Sequence, residues 1–486
     1  MHSRLIQNLE TFPFAEHLHD SQLGKPSAFT WRDYLLMLLK IDAGIEHALM
    51  VQYLYAAYSL GGSQVPEDKR KMVRKWQQTI LSIAKEEMGH LITVQNVITC
   101  LGGSISLDRE DYPWDHKFYP FPFELEPLTL DSLAKYVYTE APIGWGEKDD
   151  QDEVLQRLQK RPIPPNPNVN SVAALFKVIL AILKDPNKLS DDDFQADTFS
   201  QQASWGAWAC NHGEVSGLDA PFHLAPDNPP SPKPAHTCPT TADVIVVPVS
   251  NRDEVIDALE QIAEQGEAAH SSDEQSHFRR FLRIYREFKA HFPNGLQPAR
   301  NLPINPTTFH DEGKVSGDSY RKTTTITHPE SIKWADLFNL RYRLLLTYLS
   351  HSFRLARALN PNKSPGNYQS VLHRAFCEMY NLKAISGILV RQPLHENPAP
   401  DTPFQPAGPP FQMPYNVELP ENAISCWLQY RDILHACKDL REQLLKHELP
   451  EQDRDYLYAL NNADQDCEKW LATVLEAART ERSMNA

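Results

Sequence analysis

The chain has 486 residues, a hydrophobic fraction of 41% and a charged fraction of 23%, an ordinary globular composition with room for two or three domains. A net charge of -15 and a pI near 5.7 exclude a general nucleic-acid binder, which needs a basic face to neutralise phosphates. The 7 cysteines form no Cys-x-x-Cys pair, the N-terminus has no apolar signal core, and no apolar run reaches about 18 residues. A cytoplasmic protein without disulfides, zinc ribbon or membrane span is therefore expected.

A first helix is expected over 31–60, opened by Thr30 with Asp33 three residues on. Leu35, Leu39, Asp42, Glu46, Leu49 and Tyr53 fall in one narrow stripe of it. Glu46 sits mid-stripe, where a lone carboxylate would cost on the order of several kcal/mol, so it needs a partner. A second helix should begin near Pro66 and stop at Gly102-Gly103. Its apolar stripe (Val73, Trp76, Ile80, Ile83, Val94, Ile98, Leu101) also carries Glu87 and His90, one turn apart. Glu86 is expected to point away, to solvent, and Lys69, Arg70, Lys71, Arg74 and Lys75 to form a solvated face.

A shorter third helix over 129–140 places Leu133, Tyr136, Val137 and Glu140 on one face before Pro142 limits it. An insertion at about 142–250 follows, with its own helix at 172–183, a Trp-rich stretch at 205–208 and proline clusters at 162–167 and 226–239. An extended run at 244–249 leads to a helix opened by Ser250, in which Ile256, Leu259 and Ala263 are expected to face inward. Glu267 lies near that face and Glu264 further round. The pattern softens at 271–273 and resumes with His277, Phe278, Phe281, Leu282 and Tyr285. The expected division is a bundle over 1–295 and a second helical unit over 296–486. The second unit should hold helices at 330–360, 366–392, 422–446 and 452–480 and a Pro-rich connector at 396–421. Tyr53, Trp76 and Tyr136 read as core packing rather than cavity lining, and His351 and His373 as core or surface residues.

Glu46, Glu87-x-x-His90, Glu140 and Glu267 with a histidine match the pattern by which ferritin-like bundles hold a metal pair. That pattern is two single glutamates and two Glu-x-x-His units on four helices. Carboxylates balance and bridge two cations, and imidazole fills a terminal position on each. Spacing leaves His270 and His277 both open as the last donor. The expected fold class is mainly α, a ferritin-like four-helix bundle with a large insertion, and the expected cofactor is two iron ions, with manganese as the alternative.

Several separated segments resemble the iminophenyl-pyruvate dimer synthase family of ferritin-like proteins, in the same order, over about residues 30–290. They are Glu46 to Tyr53, Ala84 to Leu91, Tyr119 to Phe123, Thr139 to Pro142, and Glu264 to Glu267 followed by Ser276-His277-Phe278. Ala268 departs from the glycine expected there. The resemblance implies a non-haem metal site with Glu46, Glu87, His90, Glu140, Glu267 and His277 as ligands, and so favours His277 over His270. Named members couple imines from oxidised tryptophan. The functional expectation is an oxidoreductase using dioxygen on a small organic, amino-acid-derived substrate in a biosynthetic pathway. The alternatives are metal storage or detoxification and a non-catalytic partner of a biosynthetic complex.

Overall fold

The computed structural model describes residues 24–115, 119–142, 145, 148–160, 172–203, 244–267, 275–293, 295–309, 323–355, 366–398, 402–413 and 418–484. The Trp-rich stretch, the proline clusters at 162–167 and 226–239, His270, Ala268 and the softened 271–273 segment lie outside these, as does the side chain of Glu267. Chain contacts divide the described residues into two compact units, 24–202 with 244–300, and 301–309 with 323–484.

The first unit is a helical bundle. Its elements are α1 (Trp31–Ser59), α2 (Arg70–Cys100), α3 (Leu130–Thr139), α4 (Lys148–Gln159), α5 (Val172–Leu183), α6 (Arg252–Glu267) and α7 (His277–His291). Local chemistry sets the ends. The Thr30 hydroxyl accepts from Asp33 N at the start of α1, and Thr129 and Ser132 form a reciprocal capping box on α3. The α2 terminus closes on Gly102 at φ 70°, whose N–H donates to Thr99 O while Gly103 N–H reaches Ile98 O. Pro66 precedes a short 3₁₀ turn, Glu67–Lys69, and α2 proper begins only at Arg70.

Helices α1 and α2 pack side by side, and α2 also touches α6 and α7, while α3 packs on α7 and α5 on both α1 and α6. Glu46 meets His90, whereas Gln77 Nε2 donates to Ala57 O, so α1 and α2 run antiparallel. Every residue from Glu86 to Cys100 is buried. This stretch of α2 therefore has no solvent face, which overturns the expectation that Glu86 meets solvent. The basic cluster at the N-terminal end of the same helix is exposed apart from the half-buried Lys69.

The extended run 244–249 lies across α2 and borrows its polar side chains. Thr93 Oγ1 donates to Ile245 O at 3.0 Å, and Asn96 Nδ2 to Val247 O at 2.9 Å. Gly89 allows this approach, since a Cβ there would stand 2.7 Å from Ile245 O. The inward face of α6 is Val255, Ala258, Leu259, Ile262 and Gln265; Ile256 and Ala263 are only half-buried, so the face is rotated from the expected one.

The second unit contains α8 (Pro329–Leu355), α9 (Tyr368–Leu389), α10 (Ala423–Leu444) and α11 (Glu451–Met484). A two-residue parallel strand pair joins Pro306–Thr307 to Thr324–Thr325. Within the Pro-rich connector, Ala407 and Phe411 are buried, and Phe411 packs edge-on to Phe338. Arg341, on the inward stripe of α8, is paired with Glu378 at 3.2 Å and Asp464 at 2.6 Å. His351 is buried against Tyr430, and His373 is exposed.

Candidate metal centre

Four elements bring acids and imidazoles into one dry space. Glu46 comes from α1, Glu87 and His90 from α2, Glu140 from the C-terminal cap of α3, and His277 from the first residue of α7. All five are at most 5% exposed, so nothing in the solvent balances the three carboxylates. Two donor triads form: Glu46, Glu87 and His90, and Glu87, Glu140 and His277, with the donor atoms of each within 4.8 Å of one another. Glu87 belongs to both.

His90 Nδ1 lies 3.0 Å from Glu87 Oε2 and 3.6 Å from Glu46 Oε2. His277 Nδ1 lies 3.0 Å from Glu87 Oε1 and 3.8 Å from Glu140 Oε2. The two rings lie nearly parallel, with centroids 5.3 Å apart. Although Glu87 Oε1 and His277 Nδ1 are close, their directions do not make a hydrogen bond, and both remain without one. The two meet as an ion pair without a well-aligned hydrogen bond, a contact in which a cation can take the place of the proton.

The outward nitrogens are anchored. His90 Nε2–H donates to Gln265 Oε1 at 2.7 Å, and His277 Nε2–H donates to Glu86 Oε2 at 3.0 Å. Glu86 is held in turn by Arg280 and by the Ser82 hydroxyl at 2.9 Å. Both contacts fix the tautomer that leaves Nδ1 free for the cluster. The Tyr53 hydroxyl donates to Glu140 Oε1, and its ring packs against Tyr136 and Phe281. Tyr53 thus packs in the core and also grips a candidate donor. Trp76 packs on Phe288 and Phe292 as a core residue should.

Protonation follows from this crowding. Burial and then the charge of Glu87 push the Glu46 carboxyl well above its usual range, against a hydrogen bond from His90. Burial alone would lower His90, yet its hydrogen bonds to Glu46 and Glu87 and their charges raise it to about 10. His277 is likewise raised despite burial, first by the charge of Glu87. Burial opposes ionisation of Glu87, but His277 and His90 hold it well below the usual carboxylate range. Burial also works against Glu86, and the His277 hydrogen bond and Arg280 outweigh it. Left to itself, the cluster offsets its acids by retaining protons, a role divalent cations fill once the imidazoles are neutral.

Glu264 is only half-buried on α6, and the side chain of Glu267 is outside the described residues. The α6 backbone does reach the cluster, because a Cβ at Gly266 would lie 3.6 Å from Glu140 Oε2. Sequence reasoning missed Glu86, Gln265 and Arg280. Arg280 was legible, one turn after His277 on an aromatic helix face; Gln265 and Glu86 carry no such signal. Asp42 is fully buried with no partner on either oxygen, and burial pushes it up to about 8 against the charge of His90.

Two comparisons bear on this arrangement. The ferritin-like family model matches residues 39–286, which contain all of these side chains. The chain is 31% identical over 153 residues to dichlorochromopyrrolate synthase from Lentzea aerocolonigenes, covering 27% of this chain. The match takes in 15% of that relative's length. No solved structure matches. Among the described residues, no helix is long and apolar enough to cross a membrane.

Proposed function

The chain belongs to the ferritin-like family, and on that premise we propose that it is a di-iron oxidoreductase that uses dioxygen on a small organic, amino-acid-derived substrate in a biosynthetic pathway. The observation that carries this reading is the pair of buried triads sharing Glu87, each with two carboxylates and one imidazole whose donor atoms lie within 4.8 Å of one another. Glu46, Glu87 and His90 would hold one ion, and Glu87, Glu140 and His277 the other. Glu267 is retained as a sixth candidate ligand. Bound iron would supply the electrons for dioxygen reduction, a chemistry no side chain here provides; manganese suits the same donors.

The protein's own contribution is positional. Burial excludes water from the acids and keeps their charge unscreened. Gln265 and Glu86 hold the two imidazoles with Nδ1 inward, and Tyr53 fixes the orientation of Glu140 by binding its far oxygen. The biosynthetic assignment draws support from the relative, a synthase named for making dichlorochromopyrrolate.

Elemental analysis of protein produced with iron available, followed by oxygen uptake after anaerobic reduction, tests the proposal. About two ions per chain and oxygen consumption dependent on an added organic substrate are expected. Metal-free protein with an intact bundle would overturn it in favour of a non-catalytic partner. Oxygen uptake that oxidises only iron would favour storage.

A further inference from the structure

The two imidazoles differ in what stands behind them. His90 is backed by a neutral amide, Gln265 Oε1, at 2.7 Å. His277 is backed by a carboxylate, Glu86 Oε2, at 3.0 Å. Glu86 is completely buried, and the Arg280 guanidinium binds both of its oxygens, Nη1 to Oε1 at 3.0 Å. That ion pair keeps Glu86 anionic in a place too dry for a lone carboxylate. A hydrogen bond to an anionic acceptor is roughly twice as strong as one between neutral groups. It draws the Nε2 proton outward and makes Nδ1 a more basic donor.

Otherwise the described donors of the two triads match: one private glutamate, one imidazole and the shared Glu87. Tyr53 draws on Glu140 in the opposite sense, but through Oε1, and leaves Oε2 as the oxygen facing His277. His277 has a single inward donor atom, whose strength is set by what its other nitrogen touches.

We propose that the two metal positions are unequal, that the position at His277 takes its ion first, and that Glu86, held by Arg280, is the positioning residue that sets this order. The proposal rests on the two-metal reading above and assigns a filling sequence within it.

The test is an anaerobic titration of the metal-free full chain with cobalt(II), followed by visible absorption and calorimetry. Wild type should bind two ions in two resolved steps. His277→Ala should abolish the tighter step, and His90→Ala the weaker. Glu86→Gln should weaken the tighter step by roughly 10–100-fold and leave the other in place. Gln265→Glu should tighten the weaker step and narrow the gap; this variant leaves Arg280 paired, so its result stands even if Glu86→Gln fails to fold. Two ions bound in one unresolved step, the reverse assignment by the histidine variants, or an unmoved weaker step in Gln265→Glu would each overturn the order while leaving the two-metal site intact. Wild type that binds no cobalt would instead remove the metal reading itself.

Discussion

Among the described residues, a buried charge is generally met by a specific opposite, whereas Asp42, which has no such partner, is pushed toward its neutral form. Arg341 illustrates the rule away from the candidate metal centre. It is 1% exposed and bonded to Glu378 and Asp464, and Arg441 also grips Asp464 at 2.7 Å. Removing one partner of such a network strands the rest, at about 3–5 kcal/mol. Arg341→Met is therefore expected to lower the thermal midpoint sharply, as measured by calorimetry; an unchanged midpoint would show that the network contributes nothing. His351 makes the complementary point. Burial first, and the nearby Arg354 charge second, lower it to about 3, so it stays neutral when folded. The unfolded chain binds a proton there near the ordinary value of 6.5 while the folded chain does not, so stability falls as pH drops below that value. At pH 5 the loss is about 2 kcal/mol for such a residue. His351→Gln should flatten the decline in stability between pH 7 and 5 by about that amount, read from denaturant midpoints at each pH.

Among the elements, α2 carries the most constraint. Its C-terminal half is enclosed on every side, and the 244–249 run crosses it at Gly89. Alanine in a helix gains about 1 kcal/mol over glycine, whereas overpacking against fixed backbone costs about 1–3 kcal/mol. Gly89→Ala should thus destabilise on balance, because the carbonyl of Ile245 cannot move without breaking its bond from Thr93. Gly387, on α9, is exposed, and a Cβ there would have nothing within 4 Å, so Gly387→Ala should raise stability by up to about 1 kcal/mol. Opposite signs for the two substitutions in parallel melts are the expected outcome; two stabilising changes would mean that the strap does not bear on the helix.

At the scale of the whole molecule, the candidate metal centre draws its side chains from α1, α2, α3 and α7, so ligand binding there should stabilise the native state as a unit. A ligand at 100 times its dissociation constant adds about 2.7 kcal/mol. Added iron(II) or manganese(II) under anaerobic conditions is therefore expected to raise the melting temperature of metal-free protein. Glu87→Gln removes the carboxylate shared by both triads and should lose most of that rise. An equal rise in the variant would show that the ions act elsewhere. Stabilisation should also weaken as pH falls, because protons raised onto His90 and His277 compete with the cations.

Periodicity and capping residues by themselves determined most of the helices and their inward stripes, but not α4 within the insertion or the rotated inward face of α6. Apolar burial repeats with the helical turn, so Glu46, Glu87 and His90 stood out as polar residues on apolar faces before any packing was known. Glu140 and His277 were legible in part: one sits at a helix end, and choosing the other over His270 rested on family resemblance, not spacing. Tertiary structure alone decided the fates of Glu86, Gln265 and Asp42. Amphipathic reasoning assumes one wet face per helix, and the stretch from Glu86 to Cys100 has none. Which groups answer a buried charge is likewise a long-range matter, since Glu86 and Arg280 lie 194 residues apart. No local pattern encodes a partner at that distance, and only the packing of α7 on α2 brings the two together.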